Sequence, residues 1–441
     1  MRVRTPPWGH QEEALQWIEE RTGSLIAVGM GGGKTLIALM AMIRLLARST
    51  VILCPARIPA VWAREFERHL DSGIHHLLFL GQNLDGKQKL AAARQAQKLA
   101  AARRAPLVVV VNYEAAWREP LRSWLLKLKP ELLILDESHR IKSAGGRASM
   151  FCTLLGRRCR RRVGLTGTPM PHSPLDLYGQ ARALDPTQFG NSWVAFRSRY
   201  ANVGGASGTE VLSLQREQEL WEKFHSLAFV RTAEECTDLP ELTEQIIPIQ
   251  LCPKARLVYA KLAAHFWADV EAGTVTLVNA LGRLTRLQQV TSGFVPLDPV
   301  PGDIARIAEI DDGKIAALAD LLEDIPAGEP VVVFCRFVHD LAQVQALAIM
   351  RGLSYGEVSG RRADLTPHAT IPDGIDLLGV QIRAGGIGVD LTRARVGVFY
   401  SIGFSLGDFQ QAKARVRRHG GAHRHVTLVH LVAAQTIDET I

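Results

Sequence analysis

Ser24-Leu25-Ile26-Ala27-Val28-Gly29-Met30-Gly31-Gly32-Gly33-Lys34-Thr35, followed by the apolar stretch Leu36 to Leu46, is the segment that decides the fold. A short apolar run, a glycine-rich turn closing on Lys-Thr and then a helical pattern is the order in which backbone N–H groups wrap a polyphosphate. The general template, G-x-x-x-x-G-K-[ST], wants glycine where this chain has Val28; Gly33, Lys34 and Thr35 satisfy the rest, and Gly31 is available for the turn. Alone, the segment also fits a flexible loop before an ordinary helix. About a hundred residues further on, Ile134-Leu135-Asp136-Glu137-Ser138-His139 ends an apolar run on paired carboxylates. One carboxylate suits Mg²⁺ and the other an attacking water. In this order the two segments imply hydrolysis of a nucleoside triphosphate.

Working outward, the first half alternates short apolar runs (Thr50–Leu53, Leu107–Val111, Glu131–Leu135, Arg162–Leu165) with helical stretches such as the Ala-rich Gln88–Arg104. That rhythm predicts an α/β fold with a mainly parallel sheet. Residues 174–236 read as largely helical, broken by Gly204-Gly205-Ala206-Ser207-Gly208, and 253–290 as a second helical block. After the bend at Pro296–Gly302 the β/α rhythm returns, with helices over 313–324, 339–350 and 406–418 and strands over 330–335, 354–358, 376–381, 396–400 and 425–432. Two α/β lobes with helical insertions fit better than one large sheet, and 1–240 and 241–441 are the expected domains.

The length of 441 residues allows two or three domains, and 47% hydrophobic with 22% charged residues is ordinary for a soluble globular chain. No run of eighteen apolar residues and no signal-peptide layout is present, so no membrane partner and an intracellular location are expected. Six cysteines without a C-x-x-C pair argue against a zinc site. An excess of 52 Lys+Arg over 44 Asp+Glu, +8 in all, permits a polyanionic partner without proving one.

The second half has no further phosphate loop. It carries Arg383-Ala384-Gly385-Gly386-Ile387-Gly388-Val389-Asp390-Leu391-Thr392 and Gln410-Gln411-Ala412-Lys413-Ala414-Arg415-Val416-Arg417-Arg418-His419-Gly420. Arg415 and Arg418 are three apart and on a helix would share a face. Guanidinium groups suit the charge that spreads over a γ-phosphate during transfer, but from spacing alone a basic, solvated helix explains them as well.

These segments together resemble a Swi/Snf-type ATPase, the duplex-DNA-translocating branch of helicase superfamily two, along nearly the whole chain. Gln11, in Trp8-Gly9-His10-Gln11, falls where that family reads adenine; Met30–Thr35 matches motif I; Val51-Ile52-Leu53-Cys54-Pro55 with Trp62 and Glu65-Phe66 is similar to motif Ia. Asn112-Tyr113-Glu114 sits at motif Ib, Asp136–His139 at motif II, and Leu165-Thr166-Gly167-Thr168-Pro169 at motif III. Val333-Phe334-Cys335-Arg336-Phe337, Arg383–Thr392 and Gln410–Gly420 resemble motifs IV, V and VI. The resemblance implies two RecA-like lobes and a residue-level mechanism. ATP is held by Gln11, Met30, Gly31, Gly32, Gly33, Lys34 and Thr35 with Gly388 and Asp390. Mg²⁺ is held by Thr35 and Asp136, and Glu137 polarises water. Arg415 and Arg418 are the fingers, supplied by the opposite lobe, while Thr166, Thr168, Thr392 and Gln411 lie near DNA or its coupling to ATP. It further implies a monomer working on duplex DNA without sequence preference, displacing bound proteins, in a cytoplasmic or nucleoid-associated setting (nuclear in a eukaryote).

The chain also departs from the family. Ser138 replaces the usual alanine of motif II, Pro171-His172 replaces a Gln-Asn pair, Gly403-Phe404-Ser405-Leu406 replaces an aromatic stretch, and Gly421 replaces a glutamine. The stretch between Gly360 and Asp376 is short, so a helix of the second lobe is expected to be reduced or missing. The compact build suggests a bacterial or viral source, and relatives usually run on past Ile441 into another helix. Other features read blandly. Arg157–Arg162 reads as a solvated cationic face, His419, His423, His425 and His430 as surface histidines, and Trp62 and Trp117 as core. Two other function classes stay open: a strand-separating or annealing helicase, which needs a wedge, and a non-catalytic nucleic-acid-binding scaffold.

Overall fold

A computed structural model describes the chain except residues 1–2, 57, 72–74, 82–83, 172, 205–209, 237–238, 272–276, 298–305, 367–368, 383–388, 420 and 422. It divides into two compact units, Met1–Asp238 and Leu239–Ile441.

The first unit is built on seven strands: β1 (Gly23–Val28), β2 (Ser49–Cys54), β3 (His76–Leu80), β4 (Leu107–Asn112), β5 (Leu132–Asp136), β6 (Arg161–Thr166) and β9 (Ala228–Arg231). They pair in the order β3-β4-β2-β5-β6-β1-β9, every pair parallel. Helices on both faces bury the sheet, so the central strands read as continuous apolar runs rather than alternating ones. Val108 to Val111 of β4 and Leu132 to Leu135 of β5 are all at most 1% exposed. Two cores result, one on each face, with Leu25, Val109 and Leu133 on one side and Ile26, Val110 and Ile134 on the other.

The pairing order explains how residues a hundred positions apart meet. β6 lies between β1 and β5, so the carboxyl ends of these three strands stand side by side: Val28 with the glycine turn, Thr166, and Asp136. In open α/β sheets that edge is where ligands bind.

The block at 174–236 is largely helical, as the sequence implied, but it also holds strands that the sequence did not show. Helices Leu177–Leu184, Trp193–Tyr200 and Glu217–Leu227 are there, but so is an antiparallel hairpin of β7 (Ala201–Gly204) and β8 (Glu210–Leu214), and β9 belongs to the main sheet beside β1. The aromatic cluster Tyr178, Phe196, Tyr200 and Phe189 holds the helices together. A four-residue strand such as β9 has too short a pattern to be separated from the helix before it.

The second unit holds a six-stranded parallel sheet, β10-β17-β16-β13-β15-β14, from β10 (Glu241–Ile249), β13 (Val331–Cys335), β14 (Tyr355–Val358), β15 (Leu377–Gln381), β16 (Val396–Phe399) and β17 (His425–Ala433). A two-stranded antiparallel ribbon of β11 (Phe294–Pro296) and β12 (Ile307–Glu309) follows the helical block Pro253–Glu271 and Leu277–Thr291. Among the described residues no helix lies between Val358 and Leu377, as the short sequence there implied. Nor, among them, is any helix long and apolar enough to cross a membrane.

Candidate active site

β1 ends at Val28, and the chain turns through Gly31 (φ 82°) and Gly33 (φ 73°, ψ 33°) into the helix Lys34–Arg44. Both glycines occupy the left-handed region that other residues enter only with strain. The turn is also packed too tightly for side chains. A Cβ on Gly32 would lie 2.4 Å from Val28 Cγ1, and one on Gly33 2.1 Å from Gln11 Nε2. Val28, standing where the template has glycine, is part of that packing, and the turn itself is made by Gly31 and Gly33.

Lys34 folds back over the loop, its ammonium donating to the carbonyls of Val28 (2.9 Å) and Gly29 (3.1 Å). Those carbonyls occupy the acceptor role that phosphate oxygens fill in a loaded loop. Burial lowers the Lys34 pKa, and the nearby carboxylates of Glu137 and Asp136 work against that fall. Motif III closes the other side, since a Cβ on Gly167 would stand 3.1 Å from Met30 Cγ and 3.5 Å from Lys34 Nζ. Gln11 bridges the loop to the first helix, accepting from Trp8 N–H (2.9 Å) and donating to Gly32 O (3.3 Å). His10 reaches the same carbonyl at 2.8 Å. Thr35 sits in the first turn of its helix, partly buried.

Asp136 closes β5. Its Oδ2 accepts from the indole N–H of Trp62 (2.9 Å), and its backbone carbonyl accepts from the Tyr113 hydroxyl (2.9 Å). Burial, and then the charge of Glu137, push its carboxyl up to about 7, while Trp62 and Lys34 pull the other way. Adjacent carboxylates that resist being ionised together are suited to a divalent cation, which favours both charged forms. The donor set thus fits Mg²⁺. Glu137 itself sits at φ 50°, ψ 54°, a left-handed conformation held by its surroundings. His139 links the carboxylate pair to motif III, 3.4 Å from Glu137 Oε2 and 3.1 Å from Thr166 Oγ1. Thr168 N–H donates to Thr166 Oγ1 (3.1 Å).

Three readings change. Thr166 is 0% and Thr168 9% exposed, and the Thr166 hydroxyl meets His139 and accepts from Thr168 N–H, an inward arrangement that favours the coupling half of their expected role over direct contact with a DNA phosphate. Trp62 is core, yet its N–H is also a partner of the candidate metal carboxylate. Its place in motif Ia was a signal, but nothing in a sequence says which buried atom an indole meets. Arg415 and Arg418 do not share a helix face. The helix Leu406–Val416 stops when Arg417 turns extended (φ −93°, ψ 90°), its guanidinium donating to Pro240 O at 2.8 Å, and Arg418 stands exposed in the turn beyond.

Motifs V and VI meet within the second unit. Leu391 N–H donates to Arg415 O (3.2 Å), and Asp390 Oδ1 accepts from both the hydroxyl (2.7 Å) and N–H (3.0 Å) of Thr392. Gln411 is half-buried on the same helix as Arg415. Gly388 and the rest of 383–388 lie outside the described residues.

Residues 10–292 match the SNF2-related domain, and residues 313–420 match the helicase conserved C-terminal domain. The chain belongs to the SNF2 family of helicase-like ATPases. This SNF2-family chain is 26% identical to putative protein p41 of Acyrthosiphon pisum secondary endosymbiont phage 1, over 99% of this chain and 94% of that protein. It is 25% identical to the Mus musculus chromodomain-helicase-DNA-binding protein 1-like, over 98% of this chain but only 48% of that protein. The SWI2/SNF2 ATPase core of Sulfolobus solfataricus, solved in complex with double-stranded DNA, aligns with 99% of this chain and 90% of that chain at 16% identity and a TM-score of 0.47. The chain therefore spans nearly all of the phage relative and about half of the mouse one.

Proposed function

We propose that this SNF2-family ATPase is a motor that hydrolyses ATP to move along duplex DNA, displacing what is bound there. The observation that carries the reading is the convergence, at the carboxyl ends of β1, β5 and β6, of a lysine-bearing glycine turn, a carboxylate pair and a motif III threonine bonded to the histidine between them. Lys34 exchanges its carbonyl partners for phosphate oxygens, and Gln11 orients the base. Asp136, with the Thr35 hydroxyl, would hold Mg²⁺, and a bound Mg²⁺ would supply neutralisation of phosphate charge. Glu137 orients water for in-line attack, and Arg415 and Arg418 meet the charge that develops on the γ-phosphate. Asp390 is assigned to the nucleotide side of this machinery, and Thr392 and Gln411 to DNA or its coupling. The partner is duplex DNA gripped through its phosphates, which positions without reading sequence. The setting is intracellular and associated with nucleic acid.

Steady-state ATP turnover without DNA, with single strands and with duplex tests this. Duplex is expected to stimulate most; a rate indifferent to every DNA would oppose it. One observation favours strand separation as a second reading. The hairpin β7–β8 presents Val203, Val211 and Leu212 to solvent, Leu212 67% exposed, which is the apolar character a wedge needs. Unwinding of a forked duplex that fails when Leu212 becomes serine would favour it.

Trp62→Phe removes the indole donor from Asp136 while leaving an aromatic ring in the core. The half-saturating Mg²⁺ concentration for turnover is expected to rise about tenfold, the usual scale for losing a partner of a metal ligand. ATP affinity measured without metal is expected to stay level. An unchanged Mg²⁺ titration would remove Trp62 from the site.

A further inference from the structure

Behind the carboxylate pair lies a buried amide that none of the family motifs includes. Gln180, on the helix Leu177–Leu184, is 0% exposed, as is Ser138. Its Nε2 donates to Pro169 O (2.7 Å) and Asp176 O (3.1 Å), and its Oε1 accepts from Ser138 Oγ (2.8 Å). The orientation is forced: two carbonyls can only face the NH₂ group, so the oxygen must face the hydroxyl, which must donate. The helix is pressed against the turn after Glu137, because a Cβ on Gly179 would lie 2.1 Å from Ile141 O and 2.6 Å from Lys142 O.

On the solvent side, Glu137, His139 and Thr166 already connect the same two segments. Gln180 closes the circuit from behind, through Ser138 next to Glu137 and Pro169 next to Thr168. We infer that Gln180 is a positioning residue, which with Ser138 locks motif II to motif III and sets where Glu137 stands when water attacks. Serine at 138 is then no neutral exchange for alanine. Alanine would strand Gln180 Oε1 in the core, so the two residues work as a pair.

This inference rests on the ATPase reading above. Its test is a double-mutant cycle in the full chain: Gln180→Met, the milder Ser138→Ala, and both together. Measured are ATP kinetics with saturating duplex and amide hydrogen exchange over 136–142 and 166–170. Gln180→Met is expected to lower kcat about tenfold with KM for ATP within about twofold, the mark of a misplaced catalytic group rather than lost binding. Ser138→Ala loses less, and the double variant is no worse than Gln180→Met alone. Exchange is expected to rise in both segments together. Additive losses, a KM rise matching the kcat fall, or exchange confined to the altered helix would overturn the lock. A wild-type chain without turnover would defeat the ATPase reading instead, and the exchange pattern would still decide whether the lock exists.

Discussion

Glu137→Gln retains ATP binding and loses turnover by about 10²–10⁴-fold, the range that a positioned general base contributes. The change is nearly isosteric, so the left-handed turn at Glu137 and the approach of His139 at 3.4 Å survive in outline. What is lost is the carboxylate's pull on a water proton. A residue with a side chain rarely adopts φ 50° without cost, and here the cost falls on the carboxylate beside the candidate Mg²⁺ ligand. Duplex-stimulated phosphate release, measured beside equilibrium binding of a fluorescent ATP analogue, separates the two effects. Equal turnover in variant and wild type would refute the role given to Glu137.

Alanine at Arg415 or Arg418 is expected to lower kcat by about 10³-fold or more, the scale on which arginine fingers act. ATP binding is expected to stay close to wild type, because the lysine-bearing loop belongs to the first unit. Arg417→Ala is the control: its guanidinium is spent on Pro240 O, 2.8 Å away, and its turnover is expected to remain near wild type. Because the helix ends at Val416, Arg418 is carried by a turn and not by the helix surface. Single-turnover rates at saturating ATP check all three. Loss in Arg417→Ala with retention in the other two would reverse the assignment.

Much of this was legible in the chain because strand, turn and helix each carry their own chemistry. The run Ser24–Val28, the glycines that must take positive φ, and the helix after Lys34 appear as read, and Leu107–Asn112 and Leu132–Asp136 are strands whose apolar continuity reflects burial on both faces. Pairing order was not legible, since no local pattern says that β6 comes between β1 and β5. β10 escaped notice because Glu241–Ile249 is a largely exposed edge strand with a proline at 248, polar where a core strand is apolar. The end of the helix at Val416 was overrun by two residues, although Gly420 and Gly421 warned of a stop. At the site, the motifs named Lys34, Asp136 and Glu137 by type. That Trp62 meets Asp136, His139 meets Glu137, and Gln180 meets Ser138 beside them depends on distances that only the fold creates.

Movement along duplex DNA is most directly tested by displacement of a triplex-forming third strand placed ahead of the protein on linear duplex. ATP is expected to release the third strand from the wild type's track, while a non-hydrolysable analogue, or ATP with Glu137→Gln, leaves it bound. Vigorous duplex-stimulated hydrolysis with the third strand still in place would show that this chain turns over ATP without travelling.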